Sequence, residues 1–340
     1  MLTETELVAR VTGPGSANRT DRFGVHGTDL GITWDADDGR TLIVFGDTYG
    51  ERWGGHGAGP READWRCNVL GYCTNRDLSA GLTIDSMVAR PDGHARQIIE
   101  RDPRVKEETV IPCSGISIGG KHYLQYMSVR TWSGPRRWYT NYGGIAVSSD
   151  GGATWDKPSS AIWRNHIRSF WRRRSRRDSP FQMGAFARAD NHLYLLGTPS
   201  GRLGHAYLAR VSPDHVLDRR AYEYWTGATW HPSDEYRAQP VMRGPVGELS
   251  VIYSAHARRW LAIHLDESLA ALVLRTATDL AGPWTDPLPL VTGQEFPALY
   301  GGFLHPVSAT GPDVYFTMSQ WGPYNVFLMR TRLTFDNPSR

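Results

Sequence analysis

The stretch GTDLGITWDADDGRTLIVFGDT, Gly27 to Thr48, decides the fold. Apolar residues alternate through Leu30, Ile32 and Trp34, the chain reverses at Asp37-Asp38-Gly39, and the alternation returns through Leu42, Val44 and Gly46; this is a β-hairpin pattern. If the turn pairs residue 36 with residue 40, the same register sets Asp29 opposite Asp47 on neighbouring strands. Cβ atoms so opposed stand about 4.5–5.5 Å apart, and a one-residue slip would turn one side chain to the other face. Each acid lies beside glycine and threonine at the same end of the hairpin (Gly27-Thr28-Asp29, Gly46-Asp47-Thr48). Two carboxylates that close repel, so one keeps its proton near neutral pH. Acetal hydrolysis needs such a pair, one acid to protonate the leaving oxygen and one ionised carboxylate. Asp beside Gly also caps turns, the plainer reading of either residue alone.

Outward from the hairpin the same phrase recurs. After a third strand, Asn68–Cys73, a second pass runs through Cys113–Ile118, His122–Ser128 and Gly144–Ser148, and a third through Met183–Ala187, His192–Thr198 and Ala206–Arg210. A fourth takes Glu248–Tyr253, Trp260–Leu265 and Leu272–Thr276, the last of these despite the helix-like composition of Glu267–Arg275. The fifth takes Gly302–Pro306, Val314–Ser319 and Val326–Arg330. Repeats of this size with three or four antiparallel strands describe propeller blades. The predicted architecture is therefore all-β, a single five-bladed β-propeller domain over 1–340, with blades roughly at 28–90, 110–163, 181–230, 247–291 and 299–333. The segment Met1 to Val11 is expected to supply the outermost strand of the last blade, because a ring otherwise leaves a seam. Ser148–Trp155 (SSDGGATW) resembles the Asp-box of sialidase-like propellers, a turn-stabilising device.

Composition agrees. Gly 36, Pro 21 and 11% aromatic residues favour short strands and turns over helices. A net charge of +3 is too small to imply a nucleic-acid partner. Cys67, Cys73 and Cys113 match no metal-ligand spacing and leave an odd thiol, so neither a disulfide framework nor a metal is expected. No apolar run is long enough for membrane insertion. The opening MLTETELVARVTG lacks the basic and apolar regions of an export signal. Arg168–Arg177 holds six arginines interleaved with Phe170 and Trp171, read as a solvated insertion between blades in preference to an anionic-polymer patch.

In a propeller the first strand of each blade lines the axis, so residues at its start converge on one site. Those positions give Asp29, Ser114, Gly184 and Phe186, Glu248 and His305. The catalytic candidates are Asp29, Asp47 and Glu248; the substrate-binding candidates are His26, Thr28, Trp53, Asn68, Ser114, Phe186, Tyr300, His305 and Trp321. The aromatic members suit stacking on sugar faces. Glu248 is also readable as a solvated strand start, and His26 and His305 as polar groups satisfied within the fold.

GTDLGI with FGDT, the strand carrying Asn68, Gly247-Glu248-Leu249-Ser250 and His305-Pro306 together resemble glycoside hydrolase family 183, the former uncharacterised domain family 4185, from about Val11 to Leu333. The two acids at their eighteen-residue spacing carry most of the likeness. The resemblance implies a five-bladed propeller that cleaves a polysaccharide, the α-linked D-arabinofuranose chains (D-arabinan) of arabinogalactan and lipoarabinomannan, internally and without a cofactor; a monomer is expected. It places the catalytic carboxylates on Asp29 and Asp47 and implies an extracellular or cell-wall site of action. A close pair favours a retaining reaction; similar five-bladed furanosidases often invert, with the acid on a later blade, and Glu248 is the candidate there. Two other readings stand beside it: a furanosidase for another sugar on the same scaffold, and a non-catalytic glycan-binding propeller of the phage-tail or surface-adhesion type.

Overall fold

The computed structural model describes residues 2–165 and 178–334. The Arg168–Arg177 run lies outside them. Among the described residues the chain forms five antiparallel sheets arranged as a five-bladed β-propeller.

The opening strand β1 (Leu2–Arg10) is set aside for the last blade. The first blade holds β2 (Gly27–Asp35), β3 (Thr41–Tyr49), β4 (Val69–Cys73) and β5 (Ser86–Met87). In the second are β6 (Thr109–Ile118), β7 (Lys121–Trp132), β8 (Trp138–Ser148) and β9 (Ile162–Arg164). The third runs β10 (Met183–Ala189), β11 (His192–Thr198), β12 (Ala206–Val211), β13 (Glu223–Trp225), β14 (Trp230–Pro232) and β15 (Pro240–Met242). The fourth has β16 (Leu249–Ser254), β17 (Arg259–Asp266), β18 (Ala271–Ala277) and β19 (Leu288–Thr292). The fifth, β20 (Leu299–Leu304), β21 (Asp313–Gln320) and β22 (Asn325–Thr334), ends on β1, which pairs with β22. A strand from the N-terminal end of the chain thus closes the sheet built by the C-terminal end.

Alternation explains the layering. Inward residues of each sheet pack against the next sheet, so that Leu42, Val44 and Leu70 of the first blade share one apolar cluster with Leu124, Tyr126 and Ala146 of the second. The innermost strands β2, β6, β10, β16 and β20 each pack against the two beside them and close a ring around the axis. The third blade exceeds its expected limits: β13 and β15 pair with different parts of the outer edge of β12, and the blade reaches Met242 instead of ending near 230. The helix-like stretch after Leu265 is strand from Ala271, because β18 is held between β17 and β19.

The Asp-box motif has the structural role its residues suggest. Asp150 accepts from the Thr154 amide (2.8 Å) and hydroxyl (2.6 Å), and the Gly152 amide donates to Ser148 Oγ (2.9 Å). Trp155 closes the turn by donating to the Gly152 carbonyl (2.8 Å) and packs against the cluster shared by the first two blades.

Candidate active site

At one mouth of the ring the upstream ends of all five inner strands surround a cleft of about 930 Å³. Asp29 of β2 and Asp47 of β3 border it, with Thr109, Gly184, Glu248 and Tyr300 contributed by the other four blades.

The hairpin register is the expected one on both sides of the acids, Gly27 facing Tyr49, Thr28 facing Thr48 and Trp34 facing Leu42. At the acids it is not. The ladder steps from Thr28–Thr48 to Leu30–Phe45 and then to Ile32–Val44, an extra residue on β3 followed by one on β2, so Asp29 and Asp47 are not ladder partners. The cause lies in the fifth blade. Leu30 (φ 70°) and Gly31 (φ 79°) are both left-handed; the Leu30 amide donates to Ser319 Oγ (2.7 Å) and Thr317 Oγ1 donates to the Gly31 carbonyl (2.8 Å). A Cβ on Gly31 would sit 2.8 Å from Val326, so glycine is required there by space as well as by φ. The double irregularity lays the Asp29 side chain over Gly46, where a Cβ would overlap Asp29 Oδ1. GTDLG and FGD are therefore one device for seating an acid.

The two acids have different surroundings. Asp29 is buried; its Oδ2 accepts from Tyr300 Oη (2.8 Å) and Tyr324 Oη (3.3 Å), and its Oδ1 has no partner. Burial first, and the charge of Asp47 second, push its pKa up to about 8 against the two tyrosine hydrogen bonds. Asp47 is only partly buried, with Oδ1 accepting from Thr109 Oγ1 (2.6 Å) and Trp65 Nε1 (3.0 Å). Burial raises its pKa to about 6, opposed by those two donors and by the Arg61 cation. Both carboxyl groups are thus held above the ordinary aspartate range, Asp29 further than Asp47.

Glu248 borders the cleft, as its position at the start of β16 suggests, but its carboxylate is committed. Arg202 donates to Oε1 from Nη2 (2.7 Å) and Nε (3.0 Å), and to Oε2 from Nε (3.2 Å).

Tyr300 and Trp321 also line the cleft, and Trp321 is 46% exposed. The remaining substrate-binding candidates lie elsewhere. Ser114 and Phe186 line a smaller cavity of about 220 Å³ formed by the downstream halves of the inner strands, and Ser114 Oγ accepts the Phe186 amide (2.9 Å) to join two blades. His305 follows β20 at its downstream end, fully buried; Nδ1 accepts the Val307 amide (3.2 Å) as a helix cap, and burial lowers its pKa to about 4. Ser114 and His305 were misplaced because β6 and β20 begin at Thr109 and Leu299, upstream of the expected starts; β10 begins at Met183 as expected, and Phe186 lies three residues past that start. Thr28 is buried and bonded across the hairpin to Thr48 Oγ1 (2.7 Å). Trp53 stands behind Tyr324 (centroids 6.4 Å apart) and donates to the Gly57 carbonyl (2.8 Å), and His26 does not border the cleft.

Asn68 is a structural pin. Its amide donates to the carbonyls of Ile99 (3.3 Å) and Val110 (3.0 Å), while its oxygen accepts the amides of Ile98 (3.2 Å) and Ile99 (2.8 Å). Asn68→Ala would strand several buried groups and is expected to destabilise the fold by about 2–4 kcal/mol. Urea unfolding measures this.

Sequence reasoning missed Arg202, Thr109 and Glu267, and did not single out Trp65 and Tyr324 as site residues. Among the described residues no group of three His, Cys, Asp or Glu is placed to hold a metal ion.

A five-bladed propeller with a carboxylate pair in an aromatic-walled axial cleft is thus the class defined by fold and site. The chain belongs to the family described as domain of unknown function DUF4185, whose model matches residues 15–330. It is 30% identical over 323 residues to notoamide biosynthesis cluster protein J of Aspergillus sp. (strain MF297-2), covering 88% of this chain and 81% of that one. Among solved structures it shares the fold of a Bacteroides ovatus protein (TM-score 0.64, 14% identity, covering 97% of this chain and 90% of that one). The same holds for Zg3597, a family 117 glycoside hydrolase of Zobellia galactanivorans (TM-score 0.56, 14% identity, covering 99% and 93%).

Proposed function

We propose that this protein is an endo-acting glycoside hydrolase of the family 183 type, cleaving α-linked D-arabinofuranose chains with Asp29 as proton donor and Asp47 as nucleophile. What supports the reading is the difference between the two sites: Asp29 is buried against the hydroxyls of Tyr300 and Tyr324 with its pKa pushed up to about 8, while Asp47 is partly exposed, bonded to Thr109 and Trp65, with its pKa raised to about 6. Furanoside hydrolysis passes through an oxocarbenium-like state that needs both an acid and a carboxylate, and with Asp47 as the nucleophile the reaction is a double displacement with retention. The fold shared with a family 117 glycoside hydrolase supports the reaction class. Endo action is supported by the cleft walls. Trp132 of the second blade (48% exposed) and Trp321 of the fifth (46% exposed) both border the cleft, and their blades flank the one that carries the acids. A sugar chain stacked on both would present an internal bond to the pair.

Trp132→Ala and Trp321→Ala are each expected to raise KM for the polymer about 5–20-fold, the equivalent of a stacking contact of 1–2 kcal/mol, with kcat within about threefold. Initial rates on polymer and on a short oligosaccharide check this, since only the polymer reaches both rings.

The test of the function is incubation with purified arabinogalactan, D-arabinan and L-arabinan followed by sizing of products. Oligosaccharides from the D-arabinan-containing substrates alone support the reading; products from L-arabinan alone move it to another furanosidase, and none from any substrate favours a binding module. One observation favours a second substrate class: the floor of the cleft is apolar, with Ile111, Met127, Met183, Leu249 and Phe303. A furanoside with an apolar leaving group fits that floor, and faster turnover of an aryl arabinofuranoside than of the polymer would favour it.

A further inference from the structure

The loop between β11 and β12 carries Arg202 into the cleft wall, where its side chain is 15% exposed. Every arm of its guanidinium is engaged. Besides Glu248, it donates from Nη1 to the Pro135 carbonyl (3.0 Å) and to Glu267 Oε1 (3.4 Å). Its Cζ lies 5.3 Å from the ring centroid of Tyr300 and 5.6 Å from that of Trp138. Two carboxylates from the fourth blade thus hold one arginine of the third against the ring of a tyrosine from the fifth. The hydroxyl of that tyrosine donates to Asp29 of the first.

A cation over a phenol ring draws electron density from the ring and makes the hydroxyl a stronger donor, and the effect grows as water is excluded. A planar guanidinium held by two carboxylates also fixes the ring it covers. We propose that Arg202 is a positioning residue for the acid: clamped by Glu248 and Glu267, it locks and polarises Tyr300, whose hydroxyl binds Asp29 Oδ2 and leaves Oδ1, beside Gly46, as the uncommitted oxygen. Glu248 on this account serves the reaction through Arg202. The proposal rests on the reading of Asp29 as proton donor.

The direction of the effect follows from the groups around Asp29. It faces Asp47 and Tyr49 of β3, Tyr300 of β20, Tyr324 ahead of β22, and Glu248 ahead of β16. Arg202 faces Glu248, Glu267, Tyr300 and Trp138. Without the cation, Tyr300 donates less strongly and Glu248 is left as an unbalanced anion; both changes disfavour ionised Asp29.

The test compares the pH dependence of kcat/KM on D-arabinan for the native protein, Arg202→Met, Arg202→Lys and Arg202→Met/Glu248→Gln. Arg202→Met is expected to lower kcat about 10–100-fold with KM changed less than about threefold, and to move the alkaline limb up by about 0.5–1 pH unit. Arg202→Lys falls between, and the double variant keeps part of the shift, because it removes the unbalanced anion but not the loss at Tyr300. Lost activity with an unmoved limb, or a rise in KM alone, would overturn the proposal. Carboxyl ¹³C NMR titration of Asp29 in the native protein and Arg202→Met reads the same displacement without turnover. If D-arabinan is not cleaved, an upward displacement still supports the Arg202 relation while the D-arabinan reading falls, and its absence overturns the relation. Should Arg202→Met not fold, Arg202→Lys and Tyr300→Phe carry the same comparison.

Discussion

Asp47→Asn is expected to lower kcat on D-arabinan by about 10³-fold or more while leaving polysaccharide affinity within about threefold. The amide has the shape of the carboxylate and can still accept from Thr109 Oγ1 and Trp65 Nε1 through its oxygen, so the cleft keeps its form. On the proposed function, what is lost is the negative charge that meets an oxocarbenium-like carbon, a term realised in the transition state and absent from ground-state binding. Initial rates and a binding isotherm on the same preparation separate the two. An Asp47→Asn protein that still releases oligosaccharides at a tenth of the native rate would remove Asp47 from the chemistry.

Asp29→Asn is expected to slow hydrolysis about 10²–10⁴-fold and, in the same protein, to stabilise the fold increasingly as pH rises. In the folded chain Asp29 keeps its proton up to a pH of about 8. In the unfolded chain an aspartate loses its proton near pH 4. Between those values the folded state binds the extra proton, so native stability falls as pH rises from about 4 to about 8. Asparagine has no proton to hold, and its advantage over aspartate grows with pH through that window. Between pH 5 and pH 8 the gain is bounded by about 4 kcal/mol, three pH units at about 1.4 kcal/mol each. Urea unfolding of both proteins at the two pH values measures it. A variant no better at pH 8 than at pH 5 would mean that Asp29 ionises freely in the native fold. Loss of activity together with gained stability marks a group held in its cleft for chemistry, since a residue kept for structure shows the opposite pairing.

The parts of this arrangement that were legible in the sequence are those set by neighbours along the chain. Alternation through Leu30, Ile32 and Trp34 and the Asp38-Gly39 reversal gave the hairpin and its register at both ends, and repetition of that phrase gave five blades. The bulged ladder at Asp29 was not legible, because Ser319 and Thr317 impose it from the far end of the chain. The starts of β6 and β20 were hidden by strand-weakening residues, Pro112 in one and Gly301-Gly302 in the other. An innermost blade strand has one edge facing the axis and no partner to bond there, so it tolerates residues that a central strand rejects. That misreading moved Ser114 and His305 from the far end of the channel to its mouth and concealed Thr109. Arg202 and Tyr324 lie in loops, where no periodicity marks a residue; only the blades that converge on them reveal what they touch.

The acid pair is tested most directly by trapping. A 2-fluoro arabinofuranoside with a good leaving group slows both steps of a double displacement and lets the glycosyl-enzyme accumulate, so that digestion and mass spectrometry locate the sugar. The account predicts a stoichiometric adduct on the peptide containing Asp47, formed near pH 7 and absent from Asp47→Asn. An adduct on Glu248, or turnover of the reagent with no adduct on any peptide, would contradict it.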